Sequence, residues 1–396
     1  MAVTELSGDN VGDRLKAARK LAGMTQQQLS QSTHFSVSLI KKVEQGSVPP
    51  SAAFVANAAK ALGLRTATLY GLEKVIDEPS PEAAGVADLR RALDAYDDPQ
   101  PEGEPLDLAT ITARLAAASD KVLGLNHVAV AQQLPALLHH LYVLADQPGH
   151  EGELARGALH DAYRMAATVS GRFRQADLAA IASERHVQIA DRTGDPLRIA
   201  ISAYHRSTRY LQHGEYRAGL RLLDRARQHV ATSAVDRAVA VQLDLRSSIL
   251  AARAGDGAEA DGYLDEARAI AKEFQPPAVP YYGVDASETN ITVHWCAAPV
   301  EHYDGAEAVR RASSVRVTDP RRPERVGHHH IDMARAWMLH GDRGQALEEL
   351  NAARRVAPNA TRYHPSVRET VLALAAADRQ TTDSLAGFAR WSGVQL

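Results

Sequence analysis

Residues 25–46, TQQQLSQSTHFSVSLIKKVEQG, read as a helix, a short turn and a second helix, and no other stretch narrows the fold as far. Thr25 is placed to cap the first helix, whose inward position is Leu29, and Ser36 is placed to cap the second. In the second helix Ile40 and Val43 fall on the inward face, while Val37, Ser38, Lys41 and Lys42 share the opposite face at i, i+4 spacing. An apolar back with a small, hydroxylated, doubly basic front suits a DNA major groove, which is wide enough to admit one helix. A small helical bundle with a solvated lysine pair has the same periodicity, so this stretch alone leaves both open.

The residues on either side separate the two. From Val11 to Gly71 the chain carries Gly12, Arg14, Leu15, Arg19, Gly23, Thr25-Gln26, Leu29, Ser36, Ile40, Glu44, Gly46, Pro50-Ser51, Ala59 and Ala61-Leu62-Gly63. On these residues it resembles the xenobiotic-response-element (XRE) family of phage-repressor-like helix-turn-helix regulators, over the whole five-helix unit. The resemblance implies that Gln26, Val37, Ser38 and Lys42 face DNA, with Gln26 and Ser36 near phosphate. It also implies that Arg19 and Glu44 form an internal ion pair. Lys41 joins the DNA-facing set by its helix face. Three positions depart from the family: His34 stands where a turn glycine is usual, Ser30 where alanine is favoured, and Val37 where a polar base-reader is common. Valine offers only apolar contact, for instance to a thymine methyl, so no base preference carries over.

Charge is divided along the chain in the sense this reading needs. The net charge is −3, yet residues 1–72 hold eight Lys/Arg against four Asp/Glu, and five of the chain's eight lysines. A basic head on an acidic body lets one end meet phosphate while the rest stays off it. Aromatics are only 5% of the 396 residues, and alanine and leucine dominate, a helix-rich profile. The single cysteine, Cys296, rules out an internal disulfide and fits a reducing compartment, so a cytoplasmic location is expected. Residues 1–10 show no secretory signal, and no apolar run is expected to reach the roughly 20 residues of a membrane span.

After Gly71 an acidic, proline-containing linker is expected over 73–105, with one possible helix from Pro81 to Tyr96 presenting Leu89 and Leu93, and with a solvated spacer as its role. From Leu106 onward helix follows helix, punctuated by Gly171, Gly194-Asp195, Gly214, Gly255-Asp256 and Gly341-Asp342. Residues 327–360 resemble a tetratricopeptide unit, with Ala334, Gly341, Ala346, Ala353 and Pro358 at its small, turn and exit positions. The same frame finds Ser207, Gly214, Gly219 and Ala226 in 200–233, and Ser248, Gly255, Ala260 and Ala267 in 241–274. It weakens in 289–322, which keeps Cys296 and Ala308 but has Val315. In 157–190 Ala176 and Ser183 fit while Arg164 does not. Small residues recur because paired helices approach closely only where side chains are short. Two loops interrupt the frame: QPPAVPYYGVDA (275–286), a candidate lid or partner contact, and the basic TDPRRPER (318–325).

In such a unit the second, fifth, ninth and thirteenth positions line the concave face. Here they include Tyr204, Thr208, Gln212, Gln242, Arg253, Asn290 and Arg335. The amides can pair with an extended peptide backbone, and Arg253 and Arg335 can grip a carboxylate in bidentate fashion. A wet polar cleft without a ligand would look the same.

Catalysis finds little support. Among 17 histidines the densest cluster is His328-His329-His330, and consecutive helical residues diverge by about 100°, too far apart to ligate one metal together. His139-His140, His205 and His213 are read as solvated or hydrogen-bonded. No metalloprotease, Cys-x-x-Cys, nucleophile-elbow or phosphate-loop pattern occurs. No catalytic residue, metal or cofactor is expected.

The expected fold is all-α: an N-terminal five-helix helix-turn-helix domain (1–72), the linker (73–105), and a right-handed tetratricopeptide-like solenoid (106–396) for sensing and oligomerisation. The combination resembles the peptide-responsive quorum-sensing regulators of Gram-positive bacteria. It implies a homodimer on an inverted-repeat double-stranded operator, with a short signalling peptide in the repeat groove. A second reading fits the same pattern, an interaction scaffold whose groove binds a partner protein while the head localises it to DNA.

Overall fold

Helix starts and stops in this chain follow a shared chemistry. A residue in the left-handed conformation ends one helix, and an aspartate caps the next. Gly194, Gly255 and Gly341 have φ of +64°, +85° and +101°, and Asp195, Asp256 and Asp342 then accept the exposed N–H groups of the following turn. The computed structural model describes residue 8 and residues 10–71, 81–123, 126–173, 175–274, 284–320, 322–362, 364–377 and 383–394. Among them every regular element is a helix.

The head comprises α1 (Val11–Leu21), α2 (Gln26–Thr33), α3 (Val37–Glu44), α4 (Ala52–Ala61) and α5 (Thr66–Tyr70) around Leu15, Leu29, Ile40, Phe54 and Leu69. Next come α6 (Pro81–Asp94), α7 (Leu108–Leu123) and α8 (His127–Ala145). Five helical hairpins follow. They are α9 (Gly149–Arg172) with α10 (Ala176–Thr193), α11 (Pro196–His213) with α12 (Tyr216–Arg227), and α13 (Ala234–Arg253) with α14 (Gly257–Lys272). The last two are α15 (Glu288–Glu301) with α16 (Gly305–Ser313) and α17 (Pro323–His340) with α18 (Arg343–Val356). The chain closes with α19 (Pro358–Arg362), α20 (Pro365–Ala377) and α21 (Asp383–Ser392). From α7 to α19 each helix packs on its neighbour in sequence, and α11, α13, α15 and α17 also pack on one another in turn, so the hairpins stack as a repeat-like array.

The small residues of the frame sit where helices cross. Ser207, Ser248, Cys296 and Ala334 are buried in the first helices, and Gly219, Ala260, Ala308 and Ala346 in the second. Gly219 shows the constraint: a Cβ there would lie 2.9 Å from Leu250 Cδ2 and 3.1 Å from Tyr210 Cβ. The fourth hairpin departs from the frame at two positions, Val315, which falls past the end of α16, and the turn. Where the others have Gly214, Gly255 and Gly341, it has Tyr303, which adopts the same left-handed conformation at φ +67°. Asp304 then caps α16 through Glu307 N at 2.9 Å.

Two expectations need correction. The stretch expected to be a solvated spacer contains α6, whose Leu89 and Leu93 are buried against α8 in a cluster with Leu134, Leu138 and Leu141. Burying each leucine contributes about 1.5–3 kcal/mol, so residues 81–94 belong to the array. Residues 72–80 lie outside the described residues. Among the described residues one apolar helix, His127–Ala145, does reach membrane-spanning length at 19 residues, but half of it is buried inside the fold. Of the proline-rich loop, residues 275–283 lie outside the described residues, while Val284, Asp285 and Ala286 are buried. In the basic loop Arg322 is paired with Asp285 at 3.0 Å and Pro323–Arg325 already belong to α17.

Candidate nucleic-acid interface

The two helices of the opening motif are held by their own polar ends. Thr25 Oγ1 accepts from Gln28 N at 3.1 Å and Gln28 Oε1 accepts from Thr25 N at 2.8 Å, a reciprocal capping box. Ser36 Oγ accepts from Leu39 N at 3.2 Å and so starts α3. Between them His34 takes the left-handed conformation, φ +61° and ψ 12°, that a turn glycine adopts without strain. Ser30 explains how the turn holds: its hydroxyl donates to Phe35 O at 2.6 Å, which alanine could not do. His34→Gly is therefore expected to raise stability by about 0.5–1 kcal/mol in denaturant titration. An unchanged or lowered midpoint would contradict this account of the turn.

Behind the motif, α1 crosses α3 at Gly12, where a Cβ would stand 2.1 Å from Val43 O. Arg19 and Glu44 form the ion pair implied by the family resemblance, in bidentate geometry: Nε to Oε1 at 2.6 Å and Nη2 to Oε2 at 2.9 Å, both side chains buried. This bond, against the opposing effect of burial, raises the pKa of Arg19 above its usual value. Gln26 Nε2 donates to Glu44 Oε2 at 2.8 Å. Gln26 is thus tied inward in the free protein and serves as a brace between α2 and α3.

The front of α3 is open. Ser36, Val37, Ser38, Lys41 and Lys42 are all exposed, Val37 by 40%, while Ile40 and Val43 face the core. An exposed valine flanked by a hydroxyl and two ammonium groups gives one short helix apolar, hydrogen-bonding and phosphate-pairing contacts together.

The groove residues fall into two groups. Tyr204, Thr208 and Gln242 are joined through Arg246, a residue the repeat frame did not single out. Arg246 donates to Thr208 Oγ1 and Tyr204 Oη, both at 2.9 Å, and lies 4.4 Å from the Tyr204 ring centroid. Gln242 donates to Tyr204 Oη at 2.8 Å and accepts from Asp285 N at 2.9 Å. Burial favours the neutral phenol, but Arg246 and Arg325 outweigh it and bring Tyr204 below its usual pKa. Gln212 is exposed. The second group is internal: Asn290 is buried and donates to Asp285 O at 2.6 Å. Arg253 and Arg335 both hold Glu301, at 3.0 and 3.3 Å. The two arginines read as grips for a ligand carboxylate already hold one of the chain's own.

Periodicity gave no sign of how the head would seat on the array. Ala53 and Ala56 of α4 share an apolar cluster with Ala200, Leu211 and Tyr216. Tyr303 Oη accepts from Ser51 N at 2.7 Å, and its ring meets Phe35 edge-on at 6.1 Å. Burial pushes the Tyr303 phenol up to about 12, so it stays protonated. Lys60 pairs with Glu215 at 2.9 Å, and Val11 N donates to Glu369 Oε2 at 3.3 Å. A cleft of about 580 Å³ runs between Gly12, Gln45 and Pro49 of the head and Arg368, Glu369 and Leu372 of α20. The sequence signal for this seat was a tyrosine in the slot of a turn glycine.

Comparison with known proteins matches the same region. Residues 10–72 match the helix-turn-helix domain family. An uncharacterized HTH-type transcriptional regulator, YazB of Bacillus subtilis (strain 168), is 38% identical over 63 residues, covering 16% of this chain and 91% of that protein. The immunity repressor protein of Bacillus phage phi105 is 28% identical over 116 residues, covering 27% of this chain and 81% of that protein. No solved structure matches the chain. With its capped helix pair, buried Arg19–Glu44 bond and open α3 front, the chain belongs to the helix-turn-helix transcriptional regulators, a family of DNA-binding proteins and not of enzymes.

Proposed function

We propose that the chain is a cytoplasmic, ligand-responsive regulator that binds a specific double-stranded operator through α3. In this reading the array is a tetratricopeptide-like sensor that dimerises the protein, and its effector is a short signalling peptide. The observation that carries the coupling is the seat of the head. Tyr303, at a hairpin turn, contacts both the cap of α4 and Phe35, which immediately precedes the cap of α3. A change in the stacking of α15 and α16 therefore reaches the recognition helix through two contacts. The small residues at helix crossings support the repeat assignment.

In the bound state Ser38 and Lys42 read base edges, Val37 offers apolar contact, and Ser36 and Lys41 position the helix on phosphate. Gln26 reaches phosphate only by releasing Glu44. Selection of bound fragments from random DNA by the full chain, followed by footprinting, tests this. An inverted repeat with half-sites about 34 Å apart is expected. Lys42→Ala is expected to cost about 1–3 kcal/mol of binding and to relax preference at one base pair in each half-site. Unchanged affinity and preference in that variant would mean that α3 does not dock in this way.

A further inference from the structure

One position puts a charge into the pattern that builds the array. The slot filled by Ser207, Ser248, Cys296 and Ala334 in the other hairpins holds Arg164 in the hairpin of α9 and α10, and Arg164 is also buried, at 9% exposure. Its Nε is shut off from solvent, and its side chain makes no hydrogen bond or ion pair among the described residues. Burial holds its pKa below the usual value, with the charge of Asp161 opposing. Asp161 lies 3.7 Å from both Arg198 and His160, although Arg198 also meets Asp195 at 3.5 Å, and it makes no direct contact with Arg164. A buried guanidinium that no carboxylate pairs with directly is costly and calls for an explanation in a folded chain.

The surroundings make the imbalance larger. The ring of His186, 1% exposed and with Nε2 unpartnered, lies between His160 at 3.9 Å and His205 at 5.6 Å. Farther along the stacked first helices, Arg246 bonds only the neutral oxygens of Thr208 and Tyr204, and Arg325 has no ion pair among the described residues. Burial and then the charges of Arg164 and Arg246 depress His205. Burial, Arg325 and Arg246 do the same at His294, where the opposing contact is a neutral backbone oxygen, Asn290 O at 2.9 Å. Arg253 and Arg335 differ in kind, because Glu301 balances them.

We propose that this strip, short of paired carboxylates, with Arg164 as its anchor and Arg246 and Arg325 farther along the array, binds an oxyanion of the effector, a carboxylate or a phosphate that supplies the missing counter-charge. The proposal rests on the reading of the array as a sensor, and it moves the ligand's charged group away from Arg253 and Arg335. A peptide C-terminus, an acidic side chain and a phosphate ester share this chemistry: each offers the two or more acceptor oxygens that a guanidinium fork pairs with. Neutral histidines beside it can each donate one N–H to the same group.

The full chain is titrated with citrate and, separately, with inorganic phosphate at an ionic strength fixed with sodium chloride, reading thermal midpoint and binding heat. Saturable stabilisation is expected; a response to citrate alone assigns a carboxylate, and one to phosphate alone a phosphate ester. Arg164→Met removes the unpaired charge at similar volume, so it is expected to raise the midpoint of the ligand-free chain and to abolish the response. Arg246→Gln, at a half-buried position, is expected to keep the fold and weaken binding roughly tenfold or more. Wild-type protein indifferent to both anions, or an equal response in Arg164→Met, overturns the site. A lowered ligand-free midpoint in Arg164→Met overturns the claim that its charge is uncompensated. The two readings separate on selected operator DNA. Anion binding that leaves operator affinity unchanged sinks the coupling and spares the site. Operator affinity that responds equally to cell extract in wild type and Arg164→Met does the reverse.

Discussion

Glu44→Ala is expected to lower the stability of the head by about 3–5 kcal/mol, the usual cost of removing one partner from a buried ion pair. Glu44 receives three hydrogen bonds, two from Arg19 and one from Gln26, so the substitution leaves a buried guanidinium and an amide without their acceptor. Arg19 keeps only its bond to Met24 O at 2.8 Å. The loss falls on the joint between α1, α2 and α3, so amide exchange in those helices should quicken toward the rate of local unfolding while the array stays protected. Glu44→Gln keeps the shape and one acceptor oxygen and should cost less. The double variant Arg19→Met, Glu44→Leu should cost less than Glu44→Ala alone, because it leaves no charge behind. A cost below about 1 kcal/mol for Glu44→Ala would mean that Arg19 finds water on its own and that the pair does not hold the head together.

The pair was legible in the sequence through the family resemblance, whose positions Arg19 and Glu44 match. It lies within one short unit whose helix caps, Thr25 and Ser36, fix where each turn begins, whereas the bond from Gln26 to Glu44 was not legible, because the resemblance implied a Gln26 facing DNA. Small residues at frame positions were equally legible: Ser248 and Ala334 are buried because a larger side chain would push two helices apart. What periodicity could not give was contact across hundreds of residues. Tyr303 meets Ser51, 252 positions earlier, and nothing in either local pattern requires it. Arg253 and Arg335 fall on the frame positions that line a groove, yet Glu301, at a hairpin end, claims both. Arg164 was visible as a misfit, and the misfit is where the charge balance of the array fails.

Tyr303 joins these threads. A non-glycine residue in the left-handed region costs on the order of 1–2 kcal/mol. The adjoining hairpin turns at this frame position, Gly255 and Gly341, avoid that cost with glycine. What the tyrosine gains in exchange is a buried phenol on Ser51 N and a ring against Phe35. Strain at a turn is thus offset by docking of the head, and releasing the dock leaves the turn strained with nothing in return.

Glu301→Gln is therefore expected to act at two distances. Glu301 ends α15 two residues before Tyr303 and accepts from Arg253 at 3.0 Å and Arg335 at 3.3 Å, with side-chain exposures of 7%, 18% and 5% in that order. Burial alone would raise its pKa, but the two arginines outweigh burial and hold it below the usual carboxylate value. A depressed folded pKa stabilises the protein above the unfolded value, and that stability is lost as pH falls through the folded one. The variant should accordingly lose about 2–3 kcal/mol at neutral pH and show a flatter acid limb. The loss falls at the lower end because Asp332, 3.3 Å from Arg335, can take over part of the charge. Burial, against Arg335 and with Glu301, now holds Asp332 up to about 6. At longer range, relaxation of α15 should free Tyr303, quicken exchange of the Ser51 amide and change operator affinity. Tyr303→Phe is the control: it removes one hydrogen bond, about 1 kcal/mol, and leaves the arginine pair intact. If Glu301→Gln destabilises the array but leaves Ser51 protected and operator affinity unchanged, the arginine pair is structural alone and the seat of the head is independent of it.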